Sequence, residues 1–149
     1  MYTFLFRRAT VFSGVHAPVQ MDVATAGDLI AATGEIHRTA EVVIDARGFF
    51  LVPGFIDVHS HNDFVATHRH PFLGKITQGV TTEVIGNCGI SGAPRPLSTE
   101  PFIRQSIPVV GRAGRGRHWR TWRSYLAMLR NTPLPTNIVV LAGHGNIRC

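Results

Sequence analysis

Residues 53–61 read Pro-Gly-Phe-Ile-Asp-Val-His-Ser-His, and this stretch determines the fold that we predict for the chain. The apolar run before the histidines is typical of a strand covered on both faces. Residues two apart in an extended strand point to the same side, so His59 and His61 face one point at the strand end. Neutral imidazoles suit zinc. The segment therefore predicts two metal ligands at the end of a buried strand.

The next apolar run supplies a third candidate ligand. Residues 80–85, Val-Thr-Thr-Glu-Val-Ile, are rich in β-branched residues and predict a strand that leads into residues 86–89, Gly-Asn-Cys-Gly. The glycines beside Cys88 let the backbone approach a site closely, and a thiolate would complete a zinc site with the two imidazoles. Internal cysteines are also often inert apolar residues, so the pattern alone leaves both interpretations open.

The rest of residues 53–149 alternates between helix and strand patterns. The further predictions are a short helix over 72–78 before Gly79, a long loop over 89–118, a helix carrying Trp119, Trp122, Tyr125, Leu126 and Leu129, and a strand over 137–142. Such alternation indicates parallel strands joined by right-handed crossovers. We predict an α/β fold that comprises the first three βα units of a (β/α)8 barrel, with candidate ligands at the carboxyl ends of the strands.

A small β segment is predicted before the barrel. Residues 1–52 contain four short strand patterns, punctuated by glycine turns, over 3–6, 19–24, 29–32 and 41–45. A whole barrel needs roughly 250 residues, so in this 149-residue chain we expect it to be truncated.

Composition restricts the class of protein. The chain is 44% hydrophobic and 16% charged, with a net charge of +6, which excludes a disordered chain. Its two cysteines exclude a disulfide framework and favour a reducing, cytoplasmic compartment. The amino terminus lacks the charge order of a signal peptide, and no apolar run is long enough to span a membrane.

Five other residues are candidates for supporting roles. Asp63 either orients a ligand or caps the following segment, and Asp57 either orients a ligand or makes a structural hydrogen bond. His144 lies at a predicted strand end, where it either contacts substrate or shapes the loop. His68 and His70 form a second His-x-His before a proline and are interpreted as a solvated loop.

Two other functions compete with a metal-dependent hydrolase. A small non-catalytic zinc-binding protein would use the same three ligands and a fourth from outside the chain. A nucleic-acid-binding protein would use the basic segment between Arg95 and Arg123, where tryptophans are interleaved with arginines. Because Trp119 and Trp122 follow helical spacing, we favour a core role for them and predict no nucleic-acid partner.

Two motifs together resemble a known family. Residues 53–61 resemble the metal-binding opening of the amidohydrolase superfamily. Residues 78–91, Gln-Gly-Val-Thr-Thr-Glu-Val-Ile-Gly-Asn-Cys-Gly-Ile-Ser, resemble the N-acyl-D-amino-acid deacylases (D-aminoacylases), and residues 122–148 are also similar to that group. One departure is Asn62, where aspartate is common.

The resemblance implies a function and a set of ligands. His59, His61 and Cys88 would take metal-ligand roles around Zn²⁺, with the cysteine in a bridging position. The implied reaction is hydrolysis of the amide bond of small-molecule N-acyl-D-amino acids. The family's further metal histidines and its catalytic aspartate lie on later strands, so we assign no catalytic residue and expect this chain alone to be inactive. No oligomeric state is predicted.

Overall fold

The computed structural model describes residues 1–64, 73–95, 97–106 and 119–149. The chain divides into two compact units, Met1–Pro53 and Gly54–Cys149. The first is built on a mixed sheet and the second combines a parallel sheet with helices. The predicted mixed α/β character is therefore confirmed.

The first unit is a five-stranded sheet. Its strands are β1 (Tyr2–Val11), β2 (Val19–Ala26), β3 (Leu29–Gly34), β4 (Ala40–Asp45) and β5 (Phe50–Leu51). The order is β3-β2-β1-β4, and β5 also pairs with β1. The pairs β1–β2 and β2–β3 are antiparallel, whereas β4 and β5 lie parallel to β1. All four predicted strands are present, and only the two-residue β5 is additional.

The second unit contains three parallel strands in the order β6-β7-β8. Its elements in chain order are β6 (Phe55–Asp57), a 3-10 helix (Ile76–Gln78), β7 (Val80–Ile85), a 3-10 helix (Leu97–Thr99), α1 (Glu100–Ser106), α2 (Trp122–Arg130), β8 (Asn137–Val140) and α3 (His144–Arg148). The strand predicted over 80–85 is confirmed at both ends. The strand predicted over 137–142 is confirmed but ends at Val140.

Helix α2 ends before Pro133 as its sequence predicts, but it begins at Trp122, so Trp119 lies before the helix instead of on it as predicted. The Thr121 hydroxyl caps it by accepting a hydrogen bond from the Ser124 amide at 3.2 Å, and the cap at the other end is Asn131, two residues before Pro133. The buried side of the helix carries Tyr125 and Leu129. These pack with Phe64, Ile85, Ala93 and Trp119 into the core of the second unit, which supports the core role predicted for the tryptophans.

Three other local predictions were wrong. The helix over 72–78 is only a 3-10 turn over Ile76–Gln78, because β-branched Ile76 and Thr77 and the glycines on both sides disfavour an α-helix. Residues 97–106 of the loop predicted over 89–118 are helical, and α1 tolerates Pro101 because a proline is compatible with the first turn of a helix. Residues 96 and 107–118 of that loop lie outside the described residues. His144 and Gly145 begin helix α3 instead of forming a loop, with Gly143 as the N-cap residue.

The strand before the histidines also differs from prediction. Phe55, Ile56 and Val58 are 57%, 62% and 70% exposed, respectively, whereas a strand covered on both faces was expected. Within the described residues β6 is an edge strand that pairs only with β7, so one side of the strand has no neighbour. The apolar run also breaks at Pro53 and Gly54, and Phe50–Leu51 belongs to the other sheet.

Candidate metal centre

The structure brings the three predicted ligands together. His59 and His61 follow β6, Cys88 follows β7, and one ligand atom from each residue lies within 4.8 Å of the others. His59 Nε2 is 3.2 Å from Cys88 Sγ, and the two imidazole rings lie edge to face at 5.5 Å. In a tetrahedral zinc site, bond lengths of about 2.0–2.3 Å place ligand atoms about 3.3–3.6 Å apart. The 3.2 Å between His59 Nε2 and Cys88 Sγ is close to this spacing, and two imidazoles with a thiol are a donor set that suits one zinc ion.

The backbone after β7 adopts an uncommon conformation that carries Cys88 to the histidines. Cys88 has a φ of 56° in the left-handed region, and the flanking Gly86 and Gly89 have φ values of 84° and 77°. A non-glycine residue is uncommon there. Outliers of this kind concentrate at functional sites, so the conformation agrees with a role for Cys88 beyond packing.

The two ligand-bearing segments are joined by backbone and amide hydrogen bonds. The Ser60 amide donates to the Val84 carbonyl at 3.0 Å. Asn87 Nδ2 donates to the same Val84 carbonyl at 2.8 Å and to the Ser60 carbonyl at 3.4 Å. The residue between the two histidines is therefore fixed to the end of the strand that leads to Cys88.

Residues 57–63, which carry His59 and His61, are called the ligand loop below. A charged cluster that sequence reasoning missed contacts this loop. Lys75 Nζ donates to Asp57 Oδ2 at 2.7 Å, Ser60 Oγ at 2.7 Å and Glu83 Oε2 at 2.5 Å. Glu83 is 1% exposed and also accepts from Ser60 Oγ at 2.9 Å and Thr136 Oγ1 at 2.8 Å. The sequence signals that could have revealed the cluster are a sole lysine and a glutamate inside an apolar strand.

The hydrogen bonds of the cluster favour its charged forms. Burial opposes ionisation of Glu83, but hydrogen bonds from Lys75, Thr136 and Ser60 outweigh it and lower the pKa of Glu83. Burial likewise opposes the charge on Lys75, but hydrogen bonds to Asp57 and Glu83 raise the pKa of Lys75. The hydrogen bond from Lys75 lowers the pKa of Asp57. Lys75, which is partly exposed, and the buried Glu83 therefore form an ion pair at neutral pH.

Burial favours the neutral form of the His61 imidazole. Desolvation, with a smaller contribution from the charge of His59, lowers the pKa of His61. Its Nδ1 atom is buried, with no hydrogen-bond partner among the described residues. A neutral imidazole is the form that binds metals.

Asp63 is a buried carboxyl group. It is fully buried, and neither carboxylate oxygen has a hydrogen-bond partner among the described residues. Desolvation raises the pKa of Asp63 to about 7, and the nearby backbone amides of Asp63, Gly92 and Gly86, which lie outside hydrogen-bonding geometry, counter this only in part. The Asp63 carbonyl accepts a hydrogen bond from the Tyr125 hydroxyl at 2.6 Å, which connects the ligand loop to α2.

The other candidate residues have different outcomes. Asp57 makes structural hydrogen bonds, accepting from the His59 amide at 3.1 Å as well as from Lys75. His144 is exposed at the start of α3 and is not among the three clustered ligands. His68 and His70 lie outside the described residues.

The structure does not support a basic nucleic-acid surface that includes Arg95. This side chain is fully buried, pairs with Glu100 through two hydrogen bonds of 2.9 Å, and lies 4.7 Å from the Phe64 ring centroid. The arginines at 112, 115 and 117 lie outside the described residues. Arg95 therefore has a structural role in this unit.

Comparisons with known proteins find relatives in the group that the sequence motifs resemble. The chain is 41% identical to N-acyl-D-aspartate deacylase of Alcaligenes xylosoxydans xylosoxydans over 147 residues, which cover 97% of this chain and 29% of that relative. It is 36% identical to D-aminoacylase of the same organism over 149 residues, covering 99% of this chain and 30% of the relative. The chain resembles N-acyl-D-amino-acid deacylases over nearly its whole length. The resemblance to this group is therefore confirmed.

A solved structure of a deacylase has the same fold. N-acyl-D-glutamate deacylase from Bordetella bronchiseptica, crystallised with zinc and a phosphonate inhibitor, superimposes with a TM-score of 0.85 at 31% identity, covering 99% of this chain and 30% of that one. The chain thus spans about three-tenths of the length of these deacylases. No family model matches it. No helix in the described part of the chain is long and apolar enough to cross a membrane.

Proposed function

We propose that this chain is part of a zinc-dependent N-acyl-D-amino-acid deacylase, an amidohydrolase that cleaves the amide bond of small N-acyl-D-amino acids. The observation that carries the proposal is the convergence of His59, His61 and Cys88 at the ends of two adjacent parallel strands. Relatives at 41% and 36% identity support the substrate class. The proposal includes the finer fold assignment, in which residues 53–149 form the first three βα units of a (β/α)8 barrel after a small β domain at 1–52.

The proposed chemistry assigns these residues to holding and orienting the metal. His59 and His61 would bind it as neutral imidazoles and Cys88 as a thiolate. Bound zinc supplies Lewis acidity for the acyl carbonyl and lowers the pKa of an attacking water. The hydrogen bonds from Ser60 and Asn87 to the Val84 carbonyl keep the two ligand segments in register. We assign no proton-transfer residue within this chain.

Metal binding tests the proposed ligands directly. We expect the purified chain to bind zinc weakly, measured by competition with a chromophoric chelator, and His59→Ala and Cys88→Ser to lower the affinity at least tenfold because each removes a ligand. Cys149→Ser is the matched control, since Cys149 is the other exposed free cysteine. An unchanged affinity in Cys88→Ser, or an equal loss in Cys149→Ser, would contradict the ligand assignment.

Substrate class is tested by a second experiment. We expect the 149-residue chain with zinc to show no turnover of N-acetyl-D-amino acids. The product of the whole reading frame containing this segment should hydrolyse them and leave the L-enantiomers intact. Robust hydrolysis by the 149 residues alone would refute the first expectation. A zinc-loaded full product that hydrolyses only L-enantiomers, or neither, would refute the proposed substrate class.

A further inference from the structure

The ion pair of Lys75 and Glu83 contacts the ligand loop at every second or third residue. Lys75 Nζ contacts Asp57 and Ser60, and Glu83 accepts from Ser60 Oγ at 2.9 Å and from Asn62 Nδ2 at 3.3 Å. These loop residues flank His59 on both sides and His61 on both sides. The pair therefore fixes the backbone that carries both imidazoles without touching the imidazoles themselves.

The turn before β7 holds the backbone of Lys75 at the start of that strand. The Lys75 carbonyl accepts hydrogen bonds from the Gln78 and Val80 amides at 2.9 and 3.1 Å. Gly79 closes the turn with a φ of 85°. The lysine backbone is thus joined to the start of β7, while its side chain spans to the end of β6 and its ammonium group meets Glu83 on β7.

The ammonium group has no spare donor for another role. Its three N–H bonds match the three oxygen atoms of Asp57, Ser60 and Glu83 at 2.7, 2.7 and 2.5 Å. Ser60 Oγ both accepts from Lys75 and donates to Glu83, so the network closes on the residue between the two histidines. If Lys75 only neutralised the buried Glu83 carboxylate, its hydrogen bonds to Asp57 and Ser60 in the ligand loop would not be required.

We infer that Lys75, acting with Glu83, is a positioning residue that orients His59 and His61 for metal binding. This inference rests on the proposed metal centre. Partners that orient metal ligands typically contribute 10- to 100-fold in metal affinity. Lysine suits the role because its small ammonium group can donate in three directions from one nitrogen atom. The planar guanidinium of arginine cannot place its donors in the same arrangement.

The test must separate orientation of the ligands from simple stability of the fold. Lys75→Met alone leaves Glu83 buried without its cation and risks unfolding. The double variant Lys75→Met/Glu83→Gln carries neither charge. Its amide oxygen can take the place of Oε1 and accept from Thr136, while its amide nitrogen, in the place of Oε2, can donate to Ser60 Oγ, which has lost the Lys75 donor. Gln78→Met is the matched control, since it makes a similar change at an exposed position in the same turn. Folding is monitored by tryptophan fluorescence and urea titration.

The readout is metal affinity of the full chain, measured with zinc by chelator competition and with Co²⁺ by thiolate-to-metal charge-transfer absorption. We expect the folded double variant to bind 10- to 100-fold more weakly than wild type, Lys75→Arg to show an intermediate loss, and Gln78→Met to bind within twofold of wild type. A folded double variant with wild-type affinity would overturn the inference while leaving the metal centre intact. Wild type that binds neither metal would overturn the proposed metal centre, and the inference with it.

Discussion

Gly86→Ala is expected to destabilise the second unit by about 3–5 kcal/mol, from overpacking together with left-handed strain. Gly86 has a φ of 84°, and a Cβ atom there would lie 2.0 Å from the Leu141 carbonyl oxygen and 2.8 Å from its carbonyl carbon. Both obstacles are backbone atoms, so no side-chain rotation relieves the clash. The Leu141 amide also donates to the Ile85 carbonyl at 2.9 Å. Relief would therefore have to break the pairing of β7 with β8.

Gly79→Ala is the matched control for this prediction. Gly79 has nearly the same φ, 85°, but a Cβ atom there would meet only the Phe55 ring at 3.3 Å. We expect Gly79→Ala to lower the free energy of unfolding by about 1–2 kcal/mol because of left-handed strain. The difference in unfolding free energy between the two variants therefore measures the clash with the Leu141 backbone. Urea unfolding followed by tryptophan fluorescence reports on the second unit, because both tryptophans, Trp119 and Trp122, lie in it. Equal losses of unfolding free energy in Gly86→Ala and Gly79→Ala would show that the Leu141 carbonyl does not closely approach residue 86.

The elements that sequence patterns predicted well are those governed by local physics. Residues 80–85 are β-branched or apolar at most positions and form a strand with the predicted bounds. Gly79 takes the left-handed conformation expected of a glycine that ends a turn. The His-x-His spacing and the neighbouring cysteine predicted a cluster that the structure brings within 4.8 Å.

What the sequence did not reveal depends on contacts between distant residues. Glu83 meets Thr136, 53 residues away, and no period or motif in the sequence marks that pair. Helix α3 was not predicted because Gly143 and Gly145, at its start, have low helix propensity. Its buried residue Asn146 donates to the Ser91 and Pro94 carbonyls at 3.0 and 2.9 Å, and tertiary contacts of this kind can override weak local propensity.

Sequence reasoning left two roles open for Asp63, orienting a ligand or capping the segment that follows it, and residues 65–72 of that segment lie outside the described residues. Asp63 is followed directly by the buried Phe64, and its carboxylate caps no described helix. It also makes no hydrogen bond to a ligand within the described residues. A sequence pattern shows that an acid is present but not that the acid is fully buried. The titration of Asp63 therefore has to be derived from the fold.

Asp63→Asn is expected to stabilise the metal-free chain at neutral pH by up to ~4 kcal/mol, because each unit of pKa shift corresponds to about 1.4 kcal/mol. Burial raises the pKa of Asp63 from 3.8 to about 7 in the folded state. The folded state therefore holds its proton between these values while the unfolded state releases it. Since stability falls with pH where the folded state binds more protons, the wild type should lose stability as the pH rises from about 4 to 7. Asparagine stays neutral and removes this loss.

The prediction is measured as the difference in unfolding free energy between wild type and Asp63→Asn, from urea titrations between pH 3.5 and 7.5. The difference should be small at the acid end, where aspartate is mostly protonated in both states, and should grow toward neutral pH. This acid limit is an internal control for any packing change caused by the amide. Titration of Asp57 and Glu83 largely cancels in the comparison because both chains contain them. A difference that stays constant or reverses between pH 3.5 and 7.5 would mean that the pKa of Asp63 is not raised in the folded state.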